Sequence, residues 1–99
     1  MIASLSVNPD ETDALEEYFR VANSLIDRSG AKVLKKLEIG DPIIGEKISE
    51  IIMIVEYPDH YAIERMLNSI EYRNVIPIRD RAFRKYNLCI LNSPPDRFQ

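Results

Sequence analysis

The chain has one cysteine, one histidine, three glycines and no tryptophan among its 99 residues. With Cys89 alone, an internal disulfide and a Cys-based zinc site within one chain are both excluded. Its apolar neighbours Leu88, Ile90 and Leu91 place it in a strand, where a lone cysteine behaves as a small hydrophobe. His60 has no companion histidine, and no Asp or Glu spacing completes a metal site around it. It follows the helix-capping Asp59 and lies off the nearest apolar stripe, so it reads as a solvated surface residue without a partner to make it a base. There is no Gly-rich phosphate loop, no Gly-x-Ser-x-Gly elbow and no Cys/His pair. Nucleotide, hydrolase and thiol-enzyme chemistry therefore lack support, and no cofactor or metal is expected.

An excess of basic charge is missing too. Thirteen Lys and Arg face sixteen Asp and Glu, a net charge of −3, and the charges are spread along the chain, which disfavours a polyanionic partner. An RNA-binding version of the fold inferred below would carry aromatics on its first and third strands, and those segments have none, so no nucleic acid is expected. No apolar run approaches the roughly eighteen residues of a membrane span, so no membrane partner is expected. Met1 to Val7 carries no basic residue and turns polar at Asn8 to Glu11, unlike a secretory signal, which points to a cytoplasmic protein. The length suits one domain, expected over residues 1–91 with a loose polar tail over 92–99.

What is present is a change of period along the chain. Ile2 to Val7 alternates as a strand. Asn8-Pro9-Asp10-Glu11 then reads as a helix start, with Asn8 as cap, Pro9 at the first helical position and Glu11 closing a capping box. Leu15, Tyr18, Phe19, Ala22, Leu25 and Ile26 recur at helical steps, and Gly30 ends the helix. Ala31 to Ile39 alternates weakly, with Val33, Leu37 and Ile39 on one side and Lys32, Lys36 and Glu38 on the other, as in an edge strand. Gly40 to Gly45 marks a hairpin loop, and Ile48 to Tyr57 returns as a strand. Asp59 caps a second helix with Ala62, Ile63, Met66 and Leu67 inward. Ser69 opens a further helical turn, and Pro77 is expected to break or kink it, leaving the second helical region in two pieces. Tyr86 to Leu91 is the last strand.

This order, strand-helix-strand-strand-helix-strand, is the α+β ferredoxin-like βαββαβ fold. It predicts a four-stranded antiparallel sheet, ordered last, first, third, second, with its helices on one face. Within it, Ile51-Ile52-Met53-Ile54-Val55 is apolar on both sides of the sheet, because side chains alternate along a strand. The helices cover one face. A second copy of the chain is the expected cover for the other, giving a homodimer joined through the sheet.

Ser49 to Asp59, Asn68-Ser69-Ile70-Glu71-Tyr72-Arg73 and Ile76-Pro77-Ile78-Arg79 resemble the family called domain of unknown function 1330, as does Gly30-Ala31-Lys32. The likeness spans about residues 2–91 and implies the dimeric alpha/beta-barrel superfamily. Two departures bear on the pocket: Met66 and Leu67 stand where many members have an aromatic pair, and Ile70 where many have proline. Superfamily relatives include cofactor-free monooxygenases, lactone isomerases and haem enzymes, and fold alone does not choose among them.

Candidate ligand-binding residues are Tyr72, Arg79 and Glu56. Tyr72, Ile76, Arg79 and Phe83 fall on one stripe if the helix resumes near Pro77. Arg79 on an apolar face needs an anion. Glu56 and Glu71 are the internal choices, in which case the pair pins the broken helix to the sheet. The alternative is a small acidic or aromatic metabolite, held by Arg79 with the Tyr72 hydroxyl orienting it. Tyr18 and Phe19 are read as core, and Lys32, Lys35 and Lys36 as a solvated edge. The sequence supports two readings: a small-molecule-binding homodimer, in one form a cofactor-free enzyme, and a non-catalytic structural or regulatory homodimer module whose polar motif residues only hold the helix break.

Overall fold

A computed structural model describes residues 1–92. Ala3 and Leu5 alternate with Ser4 and Ser6 to give β1 (Ile2–Val7), followed by α1 (Thr12–Arg28), β2 (Lys32–Glu38) and β3 (Ile51–Glu56). Two helices, α2 (His60–Leu67) and α3 (Ile70–Ala82), lead into β4 (Phe83–Cys89). The sheet order is β2-β3-β1-β4 and each pairing is antiparallel. This is the expected ferredoxin-like α+β fold. The tail expected over 92–99 lies, apart from Asn92, outside the described residues. No helix among the described residues is long and apolar enough to cross a membrane.

The register sorts the side chains by face. Ala3 and Leu5 of β1, Met53 and Val55 of β3, and Tyr86 and Leu88 of β4 lie on the helix side. They meet Ala14, Tyr18, Ala22 and Leu25 from α1, and Met66, Tyr72, Val75 and Ala82 from α2 and α3. Ile52 and Ile54 point the other way, opposite Ser4 and Ile2. Ile52 is buried yet stands outside the core cluster. The central strand is thus apolar on both faces, as its sequence predicts.

Several boundaries differ from the sequence reading. Asn8 does not cap α1, since its Oδ1 accepts from the Asp10 N–H at 3.1 Å while its own N–H donates to the Ala82 carbonyl at 2.8 Å. Residues 8–10 form a turn instead, and the helix starts at Thr12 without a side-chain cap. At its other end Gly30 has φ +78°, and its N–H and that of Ala31 donate to the Asp27 and Ile26 carbonyls. That is the paired closure a left-handed residue permits. In β2 a register shift between Val33 and Lys35 puts Val33 opposite Val55 on the helix side but Leu37 opposite Ile52 on the far side. The two do not share a face, because a bulge resets the alternation.

The second helical region does divide in two, but at Asn68-Ser69 and not at Pro77. Pro77 is exposed inside α3, where water can satisfy the carbonyl that its missing N–H leaves free. Ser69 starts α3 by accepting from the Tyr72 N–H at 3.2 Å. Ser69→Ala should cost about 1 kcal/mol of stability, read as a lowered urea midpoint. The helix then stops one residue before Phe83, which takes an extended backbone and pairs with Val7. Phe83 therefore belongs to β4 and not to the helical stripe predicted for it.

Candidate functional site

Three tyrosines from three elements converge where α1, α3 and β4 meet. Tyr18 comes from the inner stripe of α1, Tyr72 from the first turn of α3, held by Ser69, and Tyr86 from the helix-facing side of β4. Their hydroxyls form a closed triangle. Tyr18 lies 3.3 Å from Tyr72, Tyr72 lies 3.0 Å from Tyr86, and Tyr18 and Tyr86 are also hydrogen bonded. A buried hydroxyl needs a partner, and here each finds two. Phe83 stacks edge-on against Tyr18 at 5.2 Å and lies 5.2 Å from Tyr86.

Arg79, two turns along α3 from Tyr72, sits at the mouth of this cluster. Its guanidinium lies 5.0 Å from the Tyr86 ring centre and 5.8 Å from that of Tyr72, within cation–π range. It donates to the Tyr72 hydroxyl at 3.2 Å. Its side chain is only 24% exposed, and its carboxylate contact is Asp80, at 3.4 Å and itself 66% exposed. Burial opposes the charge on Arg79, but the Tyr72 hydroxyl, Asp80 and Tyr86 hold its pKa above the ordinary value.

Neither predicted internal carboxylate reaches it. Glu71 faces Arg28 at 3.9 Å across the α1 side of α3. Glu56 ends β3, opposite Lys32, and lines a separate hollow with Met1, His60 and Ile63. The structure therefore brings Tyr72 and Arg79 together and places Glu56 elsewhere. Sequence reading did not assign Tyr18 and Tyr86 to the site. One signal could have found them: a tyrosine at a core position must bring its hydroxyl a partner.

Arg79 and Tyr86 border an open cleft of about 670 Å³, walled by Leu67, Ile76 and Phe83 with Asp80 and Arg84 at the rim. That falls in the usual range for small-molecule sites, roughly 300–1,000 Å³. Two arginines against one aspartate give it a positive rim on an acidic protein. Behind it lies an apolar cavity of about 40 Å³ between the sheet and α1. Tyr72, Tyr86 and Leu88 border both spaces.

Burial, reinforced by the hydroxyls of Tyr86 and Tyr72, raises the Tyr18 pKa far above the ordinary tyrosine value, and burial with Tyr72 raises that of Tyr86 against the opposing pull of the Tyr18 hydrogen bond and Arg79. The unfolded chain loses these protons near pH 10, whereas the folded protein retains them. The stability they contribute is thus complete below about pH 10 and falls as pH rises above it, by about 1.4 kcal/mol per pH unit for each tyrosine. Urea midpoints measured from pH 9 to 11 should drop steeply, and Tyr18→Phe should make that slope shallower.

A crystal structure of the RPA0582 protein of unknown function from Rhodopseudomonas palustris is similar to this chain, with a TM-score of 0.77 at 22% identity. The match covers 95% of this chain and 81% of that one. The methylated RPA0582 protein gives a TM-score of 0.78 at 21% identity, covering 96% and 79%. At such identities the likeness shows the fold. No curated protein matches the chain. The family model described as domain of unknown function (DUF1330) matches residues 1–93, and on that match the chain belongs to the DUF1330 family.

Proposed function

We propose that this protein is a homodimer that binds a small acidic or aromatic metabolite in the cleft beside Arg79 and Tyr72, in the manner of a cofactor-free enzyme or binding protein of the dimeric alpha/beta-barrel superfamily. One observation carries the binding reading: a part-buried arginine, its guanidinium laid against two tyrosine rings, faces an open cleft with only a long, exposed carboxylate contact. Arginine in such a place is ordinarily paired. A ligand carboxylate would give Arg79 a closer and better shielded anion than the exposed Asp80, and Tyr72 holds the guanidinium in place for it.

The dimer reading is supported by a different part of the molecule. Leu37, Ile52 and Ile54 lie on the sheet face away from the helices, and every residue of β2 is exposed. The loop from β2 to β3 holds out Ile43 and Ile44, which are 98% and 92% exposed. A second copy laid against the far face of the sheet would remove Leu37 and the part-exposed Ile54 from water.

Thermal-shift screening against small carboxylates and aromatic metabolites tests the binding reading, because a ligand taken only by the native state raises its stability. A carboxylate that raises the melting temperature of the wild type supports it, and a blank panel refutes it. Sedimentation of the dilute protein decides the dimer, which a monomer at micromolar concentration would refute.

A further inference from the structure

The hydrogen-bonding capacity of the site can be counted. A guanidinium has five N–H donors. Arg79 directs one from Nη1 to Tyr72 and one each from Nε and Nη2 to Asp80. Two remain, one on each terminal nitrogen, so a carboxylate can accept from both. A tyrosine hydroxyl has one proton to give and can accept two bonds. When the three hydroxyls close as a ring, each gives to one neighbour and accepts from another. Tyr72 also accepts from Arg79, so it is full. Tyr18 is 3% exposed and does not reach the cleft. Tyr86 does line it, and its ring lies nearer the guanidinium than that of Tyr72.

We infer that Tyr86 is the hydroxyl that meets the ligand, and that a carboxylate seated on the two free N–H groups of Arg79 opens the tyrosine ring into a chain. The chain runs from Arg79 to Tyr72, then to Tyr18, to Tyr86 and to a carboxylate oxygen. This rests on the binding reading proposed above. Only rotations about the phenolic C–O bonds are needed. No proton changes owner: Tyr72 donates to Tyr18, Tyr18 to Tyr86, and Tyr86 to the ligand. Bonds aligned in this way polarise one another where the surroundings are poor in water, so the cation at one end and the anion at the other reinforce the whole row. Burial keeps Tyr18 and Tyr86 protonated throughout the neutral range, so both remain donors. Tyr18 never touches the ligand and is a positioning residue.

The arrangement selects for two accepting oxygens. An amide of the same shape places an NH₂ group where Arg79 or Tyr86 also presents a proton. Benzoate and benzamide are therefore the probes, titrated by NMR against the wild type, Tyr86→Phe, Tyr18→Phe and Tyr72→Phe, with a thermal melt of each variant to show that it is folded. Benzoate should bind the wild type at least about tenfold more tightly than benzamide. Tyr86→Phe should weaken benzoate roughly tenfold or more while leaving benzamide within about twofold. In Tyr18→Phe the Tyr72 hydroxyl can still donate directly to Tyr86, so the ratio should narrow less than in Tyr86→Phe, yet a merely structural role for a residue outside the cleft would not move it. If the ratio survives in Tyr86→Phe and Tyr18→Phe but collapses in Tyr72→Phe, Tyr72 is the contact and the inference fails while the binding reading stands. If benzoate does not bind the wild type, the inference fails, and the binding reading fails with it only when the wider carboxylate panel is blank as well.

Discussion

Arg79→Met should abolish the response to carboxylates and leave a folded protein. The unbranched methionine stem fills much of the space of the arginine stem in a cleft wall that also holds Ile76, Tyr72 and Tyr86. What disappears is the charge, its bond to Tyr72, its long contacts with the exposed Asp80, which add little, and the guanidinium laid over two rings. Cation–π contact at a part-buried site and one charge-assisted hydrogen bond together suggest a loss of about 1–2 kcal/mol of stability. Affinity should suffer far more, because both bonds of a bidentate clamp go at once, and a drop of about 100-fold or greater is expected. Calorimetric titration of a carboxylate found by the thermal-shift panel, set beside a urea melt of the same variant, separates the two quantities. The opposite result has a clear meaning. A fall in stability of about 3–5 kcal/mol, as when a buried ion pair is broken, with ligand response intact would make Arg79 a structural clasp and the protein a module without a site.

Tyr18→Ala should have the largest effect on stability. Tyr18 is buried and makes edge-on contacts with four rings: Phe83 at 5.2 Å, Phe19 and Tyr86 at 5.7 Å, and Tyr72 at 6.4 Å. Truncating a buried aromatic costs about 3–5 kcal/mol. A protein of this size has roughly 5–15 kcal/mol in total, so a large share would go. Tyr18→Phe keeps the ring and removes the hydroxyl, and should cost about 1 kcal/mol at neutral pH, since Tyr72 and Tyr86 still bond to each other. The difference between the two urea midpoints weighs packing against hydrogen bonding at this junction. A Tyr18→Ala midpoint close to that of Tyr18→Phe would show that the ring cluster contributes little.

Much of the fold was legible because its signals are local. The helical stripe from Leu15 to Ile26, the stop at Gly30 and the doubly apolar strand each reflect the period or backbone freedom of a few adjacent residues. Errors arose where a distant contact overrides a local preference. Asn8 is tied to Ala82 at the end of α3, so the first turn of α1 is delayed to Thr12. Phe83 pairs with Val7 and leaves the helix that its spacing favours. The bulge in β2 switches Leu37 to the far face, a change that alternation along one strand does not announce. Pro77 stays within α3 because its side of the helix faces water.

The site follows the same division. Arg79 and Tyr72 stood out because a cation on an apolar stripe needs an explanation, and they are seven residues apart on one helix. Tyr18 and Tyr86 are 68 residues apart, on a helix and a strand, and nothing in either segment announces the other. By itself the sequence determined the order of elements, the apolar character of both sides of the central strand, and the presence of one arginine on an apolar stripe, because periodicity and charge are written residue by residue. Only the tertiary structure decided that Glu56 and Glu71 lie out of reach of that arginine and that three hydroxyls close around one point, because which side chains meet across separate elements depends on how the helices cross the sheet.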